Sequence, residues 1–382
     1  MSVIPLVRTE RRAPLPNIGL PFSPCLTISM LKSSRRDCRQ NRGFRSSQSH
    51  PFNPSNATMS SSASSSPPVD TDEVIFELPN AISLYQSGRV DRLHPDELVP
   101  PSLNQPTGVQ SKDVTINPTT GLSARLYLPP SSATIPKKLP VFISIHGGGF
   151  CLIRASSSIY HRYVNSITAK AGILAVSVDY RLAPENPLPA AYDDCWEALE
   201  WVFAASDPWL SEFGDLDNVF IAGESAGANI VHDVGIRLGR EGKKVEGLVL
   251  MHPFFWGKDR IGNEGIENGN GELLKAKDAD ALWLIVYPET TGLDDPRINP
   301  AAEGAPSLAT LGSRRVLVGV AELDLFRERG RVYYQKLKES GWEGKAEFLE
   351  SEGEEHCFYF MKPESSKAEE IMERLVNFFN KS

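Results

Sequence analysis

Five stretches of this chain, LPVFISIHG, ILAVSVDY, NVFIAG, VEGLVLMHP and RRVLVGVA, are almost continuously apolar where a half-exposed strand would alternate. A strand that is apolar on both faces has to be covered on both, which is the situation of strands in a parallel sheet between two layers of helices. Stretches of helical length and periodicity lie between and after these strands: AAYDDCWEALEWVFA, AGANIVHDVGIRLG, RGRVYYQKLKES and EEIMERLVNFFN. Strands alternating with helices predict an α/β sheet with right-handed crossovers. Upstream, VIFEL, GRVDRL, KDVTINP and GLSARLYLP are short, alternating and separated by Gly, Asn and Pro, so they predict antiparallel strands leading into that sheet.

A length of 382 residues suits one large domain with appendages. Hydrophobic residues make up 41% and charged residues 23%, ordinary for a soluble globular chain, and no apolar run is long enough to span a membrane. The net charge of -8 is unevenly distributed: residues 1–66 hold nine Lys/Arg against two Asp/Glu, a balance of +7, which leaves about -15 for residues 67–382. A body so acidic predicts no nucleic-acid partner. The first 66 residues are rich in Ser, Arg and Pro and poor in acids, and end in the linker-like SSSASSSPP. Two readings stand: an organelle transit peptide, directing the chain to a plastid or mitochondrion, or upstream sequence preceding a true start at Met59, which leaves the protein cytoplasmic. Cys25, Cys38, Cys151, Cys195 and Cys357 form no C-x-x-C pair and have no histidine at zinc spacing, so neither a disulfide framework nor a metal site is expected.

The segment VFIAGESAGANIV, Val219 to Val231, places Ser225 between two glycines where a strand gives way to a helix. Such a turn presents a hydroxyl sharply enough to attack a carbonyl, with Gly223 and Gly227 allowing close strand-to-helix packing. GESAGA carries no lysine and no phosphate-loop pattern occurs, so a nucleotide site is not indicated. Oxyanion donors should come from a glycine-rich loop after an earlier strand. ISIHGGGF supplies one, and the amides of Gly147, Gly148 and Ala226 are the candidate donors, although a glycine triplet can also be a plain turn.

A serine elbow of this kind is followed in sequence by an acid and then a histidine. Only His232, His252 and His356 follow Ser225. His232 lies two turns into the helix that begins at the serine, and His252 ends the next core strand with no acid-bearing strand end before it. His356, in EGEEHCFY, therefore becomes the candidate base. Asp324, just beyond RRVLVGVA, is the candidate acid, with Glu322 as a rival read as a wall residue. In this arrangement His356 takes the Ser225 proton, Asp324 orients the imidazole and no cofactor is required.

The combination of HGGGF, DYRLAPENPLPAAYDD, GESAGAN, AELD and EGEEH resembles the plant carboxylesterase family, a hormone-sensitive-lipase-like branch of the α/β-hydrolases, from about Val74 to the C-terminus. The resemblance implies an α/β-hydrolase fold, hydrolysis of carboxylic esters, the triad Ser225, Asp324 and His356, and an oxyanion hole at Gly147, Gly148 and Ala226. HPFFWG, INPAAEGAPSLATLG and ESGWEGK resemble the branch that contains 2-hydroxyisoflavanone dehydratases, which perform elimination. The family also holds plastid-targeted tuliposide-converting enzymes, which transfer an acyl group internally to give a lactone, and gibberellin receptors, which lack the catalytic histidine. His356 argues against a receptor. Fold kinship does not choose among the reactions.

Cap elements over the pocket are expected near residues 73–100 and 256–290, where Trp256, Trp283 and Tyr287 favour a cap over a solvated loop. Phe150, Tyr160, Phe255 and Trp256 are candidates to line the pocket if they face inward, and equally candidates for the core. An aromatic pocket would suit small acyl or phenolic esters as substrates. Oligomeric state is not readable from these features.

Overall fold

Burial on both faces of the apolar runs is what builds the sheet. The computed structural model describes residues 72–79, 81–93, 96–130, 138–265 and 274–381. The expectations for residues 1–66, including Met59, Cys25 and Cys38, lie outside these residues, as does the middle of the anticipated cap at 266–273.

The described chain opens with strands β1 (Val74–Leu78), β2 (Ile82–Tyr85) and β3 (Val90–Arg92), an antiparallel sheet of their own. Next come β4 (Gln110–Asn117), β5 (Leu122–Leu128), β6 (Leu139–Ile145), α1 (Ser158–Ala171), β7 (Leu174–Asp179), α2 (Ala190–Phe203) and α3 (Pro208–Phe213). The second half runs β8 (Gly214–Glu224), α4 (Ala226–Arg240), β9 (Val245–Met251), α5 (Ala276–Val286), β10 (Ser313–Ala321), α6 (Arg327–Glu339), β11 (Lys345–Ser351), α7 (Phe358–Met361) and α8 (Ser366–Asn380). Eight strands form the main sheet in the order β11-β10-β9-β8-β6-β7-β5-β4, parallel from β11 to β7, with β5 and β4 antiparallel at one edge.

Successive residues of each central strand enter opposite layers. Val141, Ile143 and Ile145 of β6 join the core formed with α2, α4 and α6, whereas Phe142 joins the core formed with α1 and α8. The same division separates Leu248 and Leu250 from Val249 on β9. This double coverage is the reason these strands read as continuous apolar runs. Helix α1 buries the stripe Tyr160, Tyr163, Val164, Ile167 and Ala171 of SIYHRYVNSITAKA, and packs it against β5, β7 and α8. Its end is marked by Gly172, left-handed at φ 65°, whose amide bonds Thr168 O.

Of the four N-terminal strands anticipated to lead into the sheet, β4 and β5 join it and β1 and β3 do not. The small sheet is instead pinned by Arg92, whose guanidinium donates to Cys151 O (2.8 Å), Ala183 O (3.1 Å) and the Glu185 carboxylate. Because β7 and β8 flank β6 on opposite sides, the loops leaving β6 and β8 part at their carboxyl ends. A crevice opens at such a switch point, and it is where an α/β sheet places its site.

Candidate active site

Ser225 ends β8 and caps α4 with φ 55° and ψ -118°, a region that non-glycine residues enter at a cost. The turn is held from three sides: Ser225 N–H donates to Met251 O (3.0 Å), while Phe254 N–H (3.0 Å) and Asn229 N–H (3.1 Å) donate to Ser225 O. Gly223 and Gly227 face each other here, and a Cβ on Gly227 would fall on the Ile145 carbonyl oxygen. Only glycines let β6, β8 and α4 approach this closely. Asn229, fully buried, reinforces the turn: its amide donates to Phe254 O (3.0 Å) and Arg297 O (2.8 Å) and its oxygen accepts the Tyr192 hydroxyl (2.7 Å). Ser225 itself stays partly exposed, and among the described residues its hydroxyl has no hydrogen-bond partner.

The loop after β6 packs directly on this turn, since a Cβ on Gly147 would sit 3.3 Å from that of Ser225. The amide of Gly147, expected as an oxyanion donor, is already committed: it donates to the Tyr160 hydroxyl at 2.7 Å. The amides of Gly148, Gly149 and Ala226 have no such partner among the described residues. The expectation that Gly147 offers a free amide is therefore not met, and beyond Gly148 the next unbonded amide along the loop is that of Gly149. Gly148 (φ 91°) and Gly149 (φ 60°) are both left-handed, which turns their N–H groups away from the direction a regular strand would give them. Below them the buried His146 ring stacks on Tyr180 at 4.1 Å, and the Tyr180 hydroxyl donates to His146 O (2.9 Å).

Asp324 follows β10, is buried, and lies with Oδ2 2.8 Å from His356 Nδ1; its other oxygen accepts the Phe326 N–H at 2.9 Å. Burial alone would raise the Asp324 carboxyl, but the His356 ring and the Phe326 amide hold it below the ordinary carboxylate range. Burial opposes charge on His356 too, and the Asp324 carboxylate overcomes it, raising the imidazole well above its usual value. The rival Glu322 is exposed and accepts the Gly353 N–H at 2.7 Å. Contacts run from His356 to Phe326 (5.4 Å between rings) and on to Phe254 (4.7 Å), next to the serine turn.

Two residues escaped the sequence reading. His252, set aside because no acid precedes its strand, comes within 3.6 Å of Asp324 Oδ2, since β9 and β10 are neighbours in the sheet. Glu224, the residue before Ser225, points towards Tyr160 and Tyr163 of α1; burial pushes its carboxyl up to about 8, leaving it largely uncharged at neutral pH. Neither has a local sequence signal, because both depend on strand order. His232 bonds Tyr333 (3.2 Å) inside the core, where burial lowers it to about 3. Ligand-type atoms of His252, His356 and Cys357 lie within 4.8 Å of one another. Hydrogen bonds already engage Nδ1 of both rings, from Cys357 N–H to His252 (2.8 Å) and between His356 and Asp324.

The four anticipated pocket residues do not line a pocket. Phe150, Phe255 and Trp256 expose 0 to 1% of their surface and Tyr160 2%. A side chain that touches ligand must present surface to the empty site, and these present almost none. Phe150 packs against Tyr192, Phe254 and Trp283; Phe255 packs against both His232 and Tyr333; Trp256 meets Phe326 and donates to Asp280. Tyr160 serves the Gly147 amide.

A family model described as an alpha/beta hydrolase fold matches residues 142–360. The chain is 42% identical over 331 residues to 2-hydroxyisoflavanone dehydratase of Glycyrrhiza echinata, covering 83% of this chain and 99% of that one. It is 41% identical to probable carboxylesterase 2 of Arabidopsis thaliana (81% and 97% covered) and to the chloroplastic tuliposide A-converting enzyme 1 of Tulipa gesneriana (85% and 83%). Among solved structures, the hyperthermophilic esterase of the archaeon Pyrobaculum calidifontis superposes with a TM-score of 0.61 at 27% identity, over 71% of this chain and 85% of that one. The mostly parallel sheet, the serine elbow and these matches together establish that the chain belongs to the α/β-hydrolase family, in its plant carboxylesterase group.

Proposed function

We propose that the protein is a carboxylic-ester hydrolase with Ser225 as nucleophile, His356 as general base and Asp324 as its orienting acid. The observation that carries this reading is the 2.8 Å bond between buried Asp324 and His356, on loops packed beside a strained serine turn. His356 takes the Ser225 proton through Nε2 as Oγ bonds to the ester carbonyl carbon, and the amides of Gly148, Gly149 and Ala226 receive the oxyanion. Collapse of that intermediate breaks the ester C–O bond, the leaving alkoxide takes the proton from His356, and water repeats the sequence on the acyl-enzyme. The relatives named as carboxylesterase and esterase support ester hydrolysis over the dehydratase activity that the Glycyrrhiza protein is named for.

Cleavage of p-nitrophenyl acetate, butyrate and octanoate tests the assignment. Wild-type turnover should fall by several orders of magnitude in folded Ser225→Ala and His356→Ala proteins, and the chain-length preference then sizes the acyl pocket. An inert wild type, or a Ser225→Ala protein as fast as wild type, would sink the reading. Strands β1–β3 and helix α5 serve as the cap, the strands tied to the loop after β6 by Arg92 at Cys151 O and the helix tied to the loop after β7 by Leu188 N–H, which donates to Val286 O at 2.8 Å. Residues 1–66 serve as a plastid-targeting extension, as their basic, Ser-rich composition and the plastid location named for the Tulipa relative suggest.

A further inference from the structure

Beside Asp324 lies a second imidazole that the reaction above does not use. His252 is 1% exposed, follows β9 in a left-handed conformation (φ 48°), and accepts the Cys357 N–H on Nδ1 at 2.8 Å. An imidazole nitrogen that accepts an N–H carries no proton, so the His252 proton sits on Nε2. Its Nδ1 lone pair, 3.6 Å from Asp324 Oδ2, therefore offers that carboxylate no donor and leaves Oδ2 to His356. Burial pushes His252 down to about 4, in keeping with a neutral ring.

The partner of this bond is equally constrained. Cys357 adopts φ 51° and ψ 32°, a left-handed conformation that a residue with a Cβ holds only when its surroundings impose it. It follows His356 directly and leads into α7, so the backbone at Cys357 sets the direction from which His356 approaches Asp324. Two bonds fix it: its amide to His252, and its carbonyl, which accepts the Phe360 N–H at 3.1 Å. The other ionisable groups packed around His252 are Asp324, His356 and Tyr359, the last at 5.6 Å between rings.

We propose that His252 is a positioning residue for the triad: as acceptor for the Cys357 amide it holds the histidine loop so that His356 meets Asp324. The proposal rests on the reading of Ser225, Asp324 and His356 as a triad. Its reach from β9 to the loop before α7 links the serine turn, bonded to Met251 and Phe254 on either side of His252, to the base.

Asparagine and glutamine separate the two ring nitrogens. The Asn oxygen takes the place of Nδ1 and Asn tolerates positive φ, whereas Gln reproduces only the Nε2 end, which has no partner here. With the full chain and p-nitrophenyl butyrate, His252→Asn should keep the wild-type kcat, and His252→Gln should lose about 10- to 100-fold in kcat at unchanged KM. The far-downfield proton resonance of the His356–Asp324 bond should persist in the first variant and vanish in the second. A folded Gln variant with wild-type kcat and resonance, or a folded Asn variant as impaired as Gln, overturns the proposal. If His252→Gln does not fold, His252→Asn decides by itself: a folded Asn protein that has lost kcat overturns it. Wild-type turnover by Ser225→Ala or His356→Ala would overturn the triad reading and this proposal together, whereas the His252 results bear on positioning alone.

Discussion

At the residue scale, the proposed role of His356 as general base makes its charge state the condition for turnover. A general base must be neutral, and the Asp324 carboxylate favours its protonated form, so the proton leaves only above the ordinary imidazole range. The sign follows: kcat/KM should rise with pH and reach half its plateau above 6.5, as a pH-rate profile of the free enzyme will show. Replacing Asp324 with Asn should lower kcat by about 10³- to 10⁴-fold, because the amide holds the wrong tautomer. The same pair bears on stability. Asp324, depressed, contributes above its unfolded value and loses that contribution as pH falls through the folded one. His356, raised, contributes below its unfolded value and loses it as pH rises through the folded one, so the pair stabilises between the two folded values.

At the scale of elements, the contact among β6, β8 and α4 decides whether a strained serine can be presented at all. Gly227 stands against the backbone carbonyl of Ile145, at the end of the strand that leads into the glycine loop. Backbone cannot rotate out of the way as a side chain can. Gly227→Ala should therefore push α4 off the sheet, lowering stability by about 1 to 3 kcal/mol. It should also separate Ser225 from Gly148, so activity per folded molecule falls as well. Chemical denaturation together with kinetics at a temperature where the variant is folded checks both effects, and full activity in the folded variant would contradict this account of the elbow.

At the scale of the whole molecule, charge divides the sequence into basic residues 1–66 and an acidic remainder. Every element that positions the site, including β1–β3 with the Arg92 anchor, lies after residue 72. A protein of residues 67–382 should thus hydrolyse p-nitrophenyl butyrate with the kcat/KM of the full chain. The full chain, offered to isolated chloroplasts, should be imported and shortened, while residues 67–382 stay outside. A truncated protein without activity would show that the extension contributes to the folded enzyme, and failure of import would remove the targeting role.

Much of this was legible in the residues themselves. Continuous apolar runs announce strands covered on both faces, because burial acts on each residue where it stands, and the β6, β8, β9 and β10 runs appear as strands with residues in both cores. Ser225 could be singled out because a left-handed turn between strand and helix demands glycine around it, a local requirement that sequence records directly. What only the tertiary structure decided are the partners. Whether Phe150, Phe255 and Trp256 face ligand or core, that the Gly147 amide is taken by Tyr160, and that His252 sits beside Asp324 all follow from the strand order β11-β10-β9-β8-β6 and the layers packed on it. Backbone preference is set within a few residues. Hydrogen-bond partners are chosen across the sheet, by segments that sequence separation says nothing about.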